Sequence, residues 1–372
     1  MKLSVIILNY NVQYFLEQCV LSVQRSIKGV DAEIIVIDNN SPDDSCAMMK
    51  TKFPEITLIE NKENVGFSTA NNQAVAIAKG EYVCILNPDT AVAEDTFIVS
   101  LKYAESIKNL GALGIYLMDG TGFFLPESKR NLPTPKASLL KLLGAGKNYY
   151  ANHIPKNKSG EVDVLVGAFM LLKRSVYNKV NGFDEDYFMY GEDIDFSYKI
   201  TKAGYKNYYL GSSAILHYKG ESTQKDAAYL DRFYGAMHIF YKKHFNTNFL
   251  FDAFVKVGVS VAKKMNKVSV NKKPSQYSNN ITYVLTENLI LLKNISENIN
   301  TEIKTASKTI FSDEILTNSN FIFDVDYMPY SQIFMVMRKL SGKGNTFRIR
   351  PPGCNFILGS DQSDQKGSVL VF

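Results

Sequence analysis

Hydrophobic positions in the first 90 residues alternate between short apolar-rich runs and longer stretches of helical spacing. Residues 3–8 and 34–37 are such runs, of the kind found in strands buried on both faces, and 56–59 and 82–86 are a third and a fourth. Between the first two, Phe15, Leu16, Cys19, Val20, Val23 and Ile27 recur at helical spacing, and 67–78 reads as another helix. Strands alternating with helices predict right-handed βαβ units, and so an α/β fold with a mostly parallel sheet flanked by helices. Ligands of such sheets lie beyond the carboxyl ends of the strands. Attention therefore falls on Asn9, Tyr10 and Asn11 after the first run, on Asp38, Asn39 and Asn40 after the second, on 61–66, and on Asn87, Pro88 and Asp89 after the fourth.

From 117 to about 162 the alternation stops, and Gly, Pro and basic residues predict a hairpin and loop that shape the site of a second substrate. An apolar run at 164–172 returns to the sheet, 174–180 reads as a helix, and 182–206 as loop then helix. A last strand is expected over 208–216, ending at His217. Beyond 280, runs at 281–285, 303–306, 321–325, 346–349, 356–358 and 369–372 predict short strands, with a helix over 330–340. This second unit carries no G-x-G-x-x-G or Walker loop. The expected division is 1–248, a segment and linker over 249–280, and a small, degenerate doubly wound α/β module over 281–372.

Composition narrows the classes. With 372 residues, 45% hydrophobic and 21% charged, the chain can bury a core, which excludes wholesale disorder. No run approaches the roughly 20 apolar residues of a membrane span, and the stretch before Asn9 is short for a signal sequence, so a cytoplasmic chain is expected. Cys19, Cys46, Cys84 and Cys354 lack metal or redox spacing and read as reduced core residues. The net charge of +5 is local: residues 249–273 hold six lysines against one aspartate. A helical wheel there sets Asp252, Lys256, Ser260, Lys263 and Lys267 opposite Phe251, Phe254, Val261, Ala262 and Met265, which fits a peripheral helix on anionic lipid. A helix packed on its own domain, or a strand through Val255, Val257, Val259 and Val261, fits too. Basic residues are not interleaved with aromatics on one surface, so nucleic acid is not an expected partner.

Candidate chemistry gathers at the strand ends. Asp38 and Asp89 both close apolar strands and are expected on one rim, with Asn64, Gly66 and Phe67 forming a turn open to a phosphate or ribose. Glu192, Asp193 and Asp195 crowd a helix start; at i and i+3, Glu192 and Asp195 share a face, which frees Asp193 to point into a cleft. An acidic surface cap is the plainer reading. His217, alone at a strand end, is most simply a satisfied rim residue.

Together the segments SVIILNYN, VIDNNS, NVGFSTANN, LNPDT, VGAFMLLKRS, GFDEDYFMYGEDIDFSYK and ILHYKGES resemble the inverting family-2 glycosyltransferases of the GT-A fold, in their rhamnosyltransferase-like branch, over about residues 3–245. The resemblance implies sugar transfer from dTDP-rhamnose or a UDP-sugar to a saccharide or lipid-linked acceptor in cell-envelope polysaccharide synthesis. It implies a GT-A sheet, Asp193 as catalytic base, Asp38 on the pyrimidine, and a Mn²⁺ or Mg²⁺ held by Asp89 and His217. Further donor contacts would come from Asn9, Tyr10, Asn11, Asn40, Asn64, Gly66, Phe67, Asn71 and Asn87, while Arg130, Gly167, Ala168, Glu192 and Asp195 would shape the acceptor side. The family's D-x-D is here Asn87-Pro88-Asp89, with one carboxylate replaced by an amide. Two rivals stand beside this reading: a sugar nucleotidyltransferase, which needs a basic glycine-rich loop where Asn9-Tyr10-Asn11 stands, and a non-catalytic sugar-nucleotide-binding module.

Overall fold

The computed structural model describes residues 1–134, 149–221, 227–245, 281–313, 316–363 and 365–372. The basic segment 249–273 and the linker after it lie outside the described residues. Strands β1 (Leu3–Asn9), β2 (Ala32–Asp38), β3 (Thr57–Glu60) and β4 (Tyr82–Leu86) stand in the order β3-β2-β1-β4, every pair parallel. The sheet continues through β8 (Phe169–Lys173), antiparallel to β4, then β6 (Leu110–Met118) and β9 (Lys206–His217), which are parallel to each other. Two short strands, β5 (Thr90–Ala91) and β7 (Gly160–Val162), pair antiparallel with β9.

Alternate side chains along each central strand feed two cores, which is why these strands read as unbroken apolar runs. Val5, Ile7, Val36 and Leu86 face α1 (Gln13–Ser26), α2 (Ser45–Lys52) and α4 (Thr96–Glu105). On the other face Ile6, Ile35, Val83 and Ile85 meet α3 (Gly66–Ile77), α5 (Arg174–Lys179) and α6 (Glu192–Lys202). The α/β sheet expected from the sequence is present, but β6 is an element that periodicity did not reveal. Its nine residues are all buried, yet Gly111 and Gly114 interrupt the apolar run. A Cβ at Gly111 would lie 2.2 Å from Ile200 Cγ2, and one at Gly114 2.4 Å from Leu165 Cδ2, so both glycines admit close packing.

A second sheet holds β10 (Ile281–Leu285), β11 (Glu302–Thr305), β12 (Asn320–Asp324), β13 (Thr346–Arg350), β14 (Phe356–Gly359) and β15 (Ser368–Val371), in the order β11-β10-β12-β13-β14-β15. Its first four strands are parallel and its last two antiparallel. One apolar cluster runs unbroken from the first sheet into the second. At the seam Tyr14 packs edge-on to Phe356 with centroids 4.9 Å apart, and Arg25 pairs with Asp326 at 2.9 Å. Glu94 accepts the backbone N–H groups of Tyr330 and Ser331 at 2.7 and 3.1 Å, closing the open N-terminus of the helix Tyr330–Leu340 with a carboxylate from the first sheet's side.

Candidate active site

The carboxyl ends of the strands open into a cavity of about 330 Å³. One wall comes from the end of β4 and the end of β9. Antiparallel pairing sets Thr90 opposite His217, and the Tyr218 N–H donates to the Asp89 carbonyl at 3.0 Å. This brings His217 Nε2 to 3.3 Å from Asp89 Oδ1 and to 3.4 Å from Asn87 Nδ2. Both members of the pair are buried, and His217 Nδ1 has no hydrogen-bond partner. Asn87 is fixed by its N–H donating to the Ala168 carbonyl at 3.1 Å.

The opposite wall begins at Gly191, whose φ of +78° opens α6. Asp193 Oδ2 accepts from Arg130 Nη2 at 2.6 Å and from the Gly167 N–H at 3.3 Å. Arg130 also donates to the Leu165 carbonyl at 2.7 Å, so the guanidinium is locked. Burial alone would lower the Arg130 pKa, but the Asp193 carboxylate beside it reverses the sign and the net shift is upward. Glu192 lines the same wall with Oε2 buried and unpartnered. Burial, with the Asp193 charge adding to it, pushes the Glu192 carboxyl up to about 8. Lys219, at φ +64°, lines the cavity beside His217 and pairs with Glu127 at 2.6 Å.

Of the residues singled out in the sequence, Tyr10, Asn64, Phe67, Asn87, Asp89, Arg130, Gly167, Ala168, Glu192, Asp193 and His217 line this cavity. Others do not. Asp38 Oδ2 accepts from Asn9 Nδ2 at 2.7 Å and from the Ser41 hydroxyl at 2.6 Å, tying β1 to the loop after β2, while Oδ1 accepts the Ser41 N–H at 2.8 Å. Asn9 serves that rim, and Asn11 and Asn40 are exposed at φ +58° and +64°, turning the chain. Asn39 lines the cavity where Asn40 was expected, with its amide on Asn64 Oδ1 and the Gly66 carbonyl at 3.1 Å each. Gly66 itself packs under Phe188: its Cβ would stand 2.5 Å from the Phe188 carbonyl, and Phe67 N–H donates to that oxygen at 2.7 Å. Asn71 donates within its own helix to the Phe67 carbonyl at 2.9 Å.

The expected sharing of a face by Glu192 and Asp195 is corrected. Asp195 is fully buried away from the cavity, 2.5 Å from His244 Nε2 and 3.3 Å from the Tyr187 hydroxyl, and it pins α6 to the helix α7 (Ala227–His244). Glu192 and Asp193, adjacent in the first turn, share the cavity instead. Lys219 was missed, although it follows a strand whose end had been singled out; Asn39 was singled out after the second run but not among the donor contacts.

A paired acid and imidazole on one wall and a clamped carboxylate on the other face a single cavity at the strand ends of an α/β sheet. Residues 4–180 match the family described as Glycosyl transferase family 2, and 151–224 match the N-terminal domain of galactosyltransferase. Residues 4–180 thus form a family-2 glycosyltransferase domain. Among curated proteins it is similar to an N-acetylglucosaminyl-diphospho-decaprenol L-rhamnosyltransferase of Mycobacterium tuberculosis, 27% identical over 59% of this chain and 75% of that protein. It is also similar to Rhamnosyltransferase WbbL of Escherichia coli, 32% identical over 41% of this chain and 61% of that protein. Among solved structures, the mannosyltransferase PcManGT of Pyrobaculum calidifontis aligns with a TM-score of 0.48 at 18% identity, over 73% of this chain and 76% of the other.

Proposed function

We propose that this chain transfers a sugar, with inversion, from a nucleoside-diphosphate sugar to a hydroxyl of a saccharide or lipid-linked saccharide during cell-envelope polysaccharide synthesis. The rhamnosyltransferases among its relatives favour dTDP-rhamnose as donor, with a UDP-sugar as the other candidate. One observation carries the reading: a single cavity holds the Asp89–His217 pair on one wall and Asp193 on the other.

In this mechanism the acceptor hydroxyl gives its proton to Asp193 Oδ1 as its oxygen attacks the anomeric carbon in line. Arg130 and the Gly167 N–H occupy Oδ2, which fixes the carboxylate plane and leaves the other oxygen for the acceptor. Glu192, held neutral near pH 7, adds no second negative charge beside the base. Asp89 and His217 face the leaving diphosphate. Asp89 Oδ1 and His217 Nε2, 3.3 Å apart, are a carboxylate and an imidazole of the kind that would hold Mn²⁺ or Mg²⁺. Such an ion supplies charge neutralisation on the leaving group. Lys219 adds a fixed cation on the same side.

Asp193→Asn tests the assignment, because it keeps size and removes the base. Transfer should fall by roughly 10²- to 10⁴-fold while calorimetry finds donor affinity little changed. Near-normal turnover would move the base elsewhere. Loss of donor binding would make Asp193 a donor ligand.

A further inference from the structure

The segment that ends β9 carries three cavity residues, His217, Lys219 and Gly220, and the residues from His217 to Lys219 are each tied to a different element. His217 is held by β5, Tyr218 packs edge-on to Phe15 of α1 at 5.0 Å, and Lys219 is paired with Glu127. The last tie reaches into the second sheet. Gly367 N–H donates to Glu221 Oε1 at 2.6 Å, and Glu221 is only 4% exposed. We propose that the described residues between β14 and β15, 360–363 and 365–367, act as a clamp on the donor side of the cavity, with Gly367 and Glu221 as positioning residues for His217 and Lys219. This deepens the proposed donor site and rests on that reading.

Packing specifies the clamp closely. A Cβ at Gly367 would stand 2.6 Å from the Gly359 carbonyl, 2.8 Å from Glu221 Oε1 and 3.0 Å from Phe15 Cζ, so only glycine lets the backbone reach the carboxylate. The loop itself is braced: Ser360 is buried, its hydroxyl donates to the Gln362 carbonyl at 2.7 Å, and a Cβ at Gly120 would stand 2.8 Å from the Ser360 carbonyl. The far end of the loop is thus pressed against the first sheet's own turn, and the near end holds Glu221. Lys219 and Gly220, lining the cavity, have no freedom to swing out while that bond stands. Among the described residues none from 281–372 lines the cavity, and on this view they act on the reaction through one backbone N–H.

The test uses the full chain and three variants, Gly367→Ala, Glu221→Ala and Glu221→Gln. Amide hydrogen exchange over 217–221 should speed up in the two alanine variants. Affinity for dTDP or UDP with Mn²⁺ should weaken by about tenfold, the worth of one charge-assisted hydrogen bond. Glu221→Gln should restore both, because its side-chain carbonyl still accepts from Gly367. Thermal unfolding identifies variants that fold. A folded Gly367→Ala protein with unchanged exchange over 217–221 overturns the clamp, and so does faster exchange there with unchanged nucleotide affinity. A wild-type chain that binds neither nucleotide overturns the donor reading instead, and the exchange measurement still decides whether Gly367 holds the segment.

Discussion

Arg130 Nη2 lies 2.6 Å from Asp193 Oδ2, and both residues are buried. Little water reaches either charge. Removing the guanidinium strands a carboxylate in the cavity wall, whereas removing both charges does not. Arg130→Gln should therefore cost about 3 kcal/mol of stability and distinctly less in an Asp193→Asn background. Urea unfolding of the four proteins measures the coupling; additivity to within about 0.5 kcal/mol would mean the pair is not a unit.

Glu192 makes stability fall with pH. Its carboxyl is raised from 4.5 to about 8, so between those values the folded chain holds a proton that the unfolded chain has released. Its stabilising contribution is whole below about 4.5 and is lost as pH rises through about 8, with a slope of up to about 1.4 kcal/mol per pH unit. Glu221, raised to about 7 by burial against the opposing Gly367 N–H, slopes the same way. The difference between wild type and Glu192→Gln isolates the first group: unfolding free energies from pH 5 to 8 should decline less steeply in the variant. Parallel curves would refute the protonated carboxyl.

Chelation should abolish transfer and Mn²⁺ or Mg²⁺ should restore it, given the facing of Asp89 and His217. Asp89→Ala should weaken nucleotide binding and turnover together, and His217→Ala should raise the Mn²⁺ concentration needed for half-maximal binding. Calorimetry with dTDP or UDP at graded Mn²⁺ reads both. Full transfer in excess EDTA by a protein free of metal would sink the assignment.

The lysine-rich segment 249–273, outside the described residues, should bind anionic vesicles, each lysine near the surface adding on the order of 1 kcal/mol. Replacing Lys256, Lys263, Lys264 and Lys267 by Gln should then release the protein from phosphatidylserine vesicles in co-sedimentation at low salt. Unchanged pelleting would exclude the charge mechanism.

What the sequence made legible follows from burial. Strands β1, β2 and β4 are covered on both faces, so their apolar runs are short, dense and self-announcing, and the residues after them led to Tyr10 and Asp89. β6 is covered as fully but spends two positions on glycine for the sake of Ile200 and Leu165, which erases the signal. β5 has two residues and exists only through pairing with β9, so no local pattern encodes it. Asp193 could be singled out from charge crowding, yet its partner Arg130 sits in a loop on the other side of the chain's midsection. Asp195 looked equivalent to Glu192 by helical spacing. A histidine on a later helix, His244, decides otherwise, and spacing along one helix cannot report that.

The place of β8 in the sheet has a consequence for synthesis. It lies between β4 and β6 although it leaves the ribosome after β6. Chains emerge from the N-terminus first, at about 5 to 20 residues per second. The β3-β2-β1-β4 half can close early, while β6 has to wait, apolar on both faces, until the strand that separates it from β4 arrives. For those seconds the nascent chain shows an unpaired β4 edge and a loose hydrophobic strand. That interval is when a chaperone would be most needed, and slow codons after β6 would lengthen it.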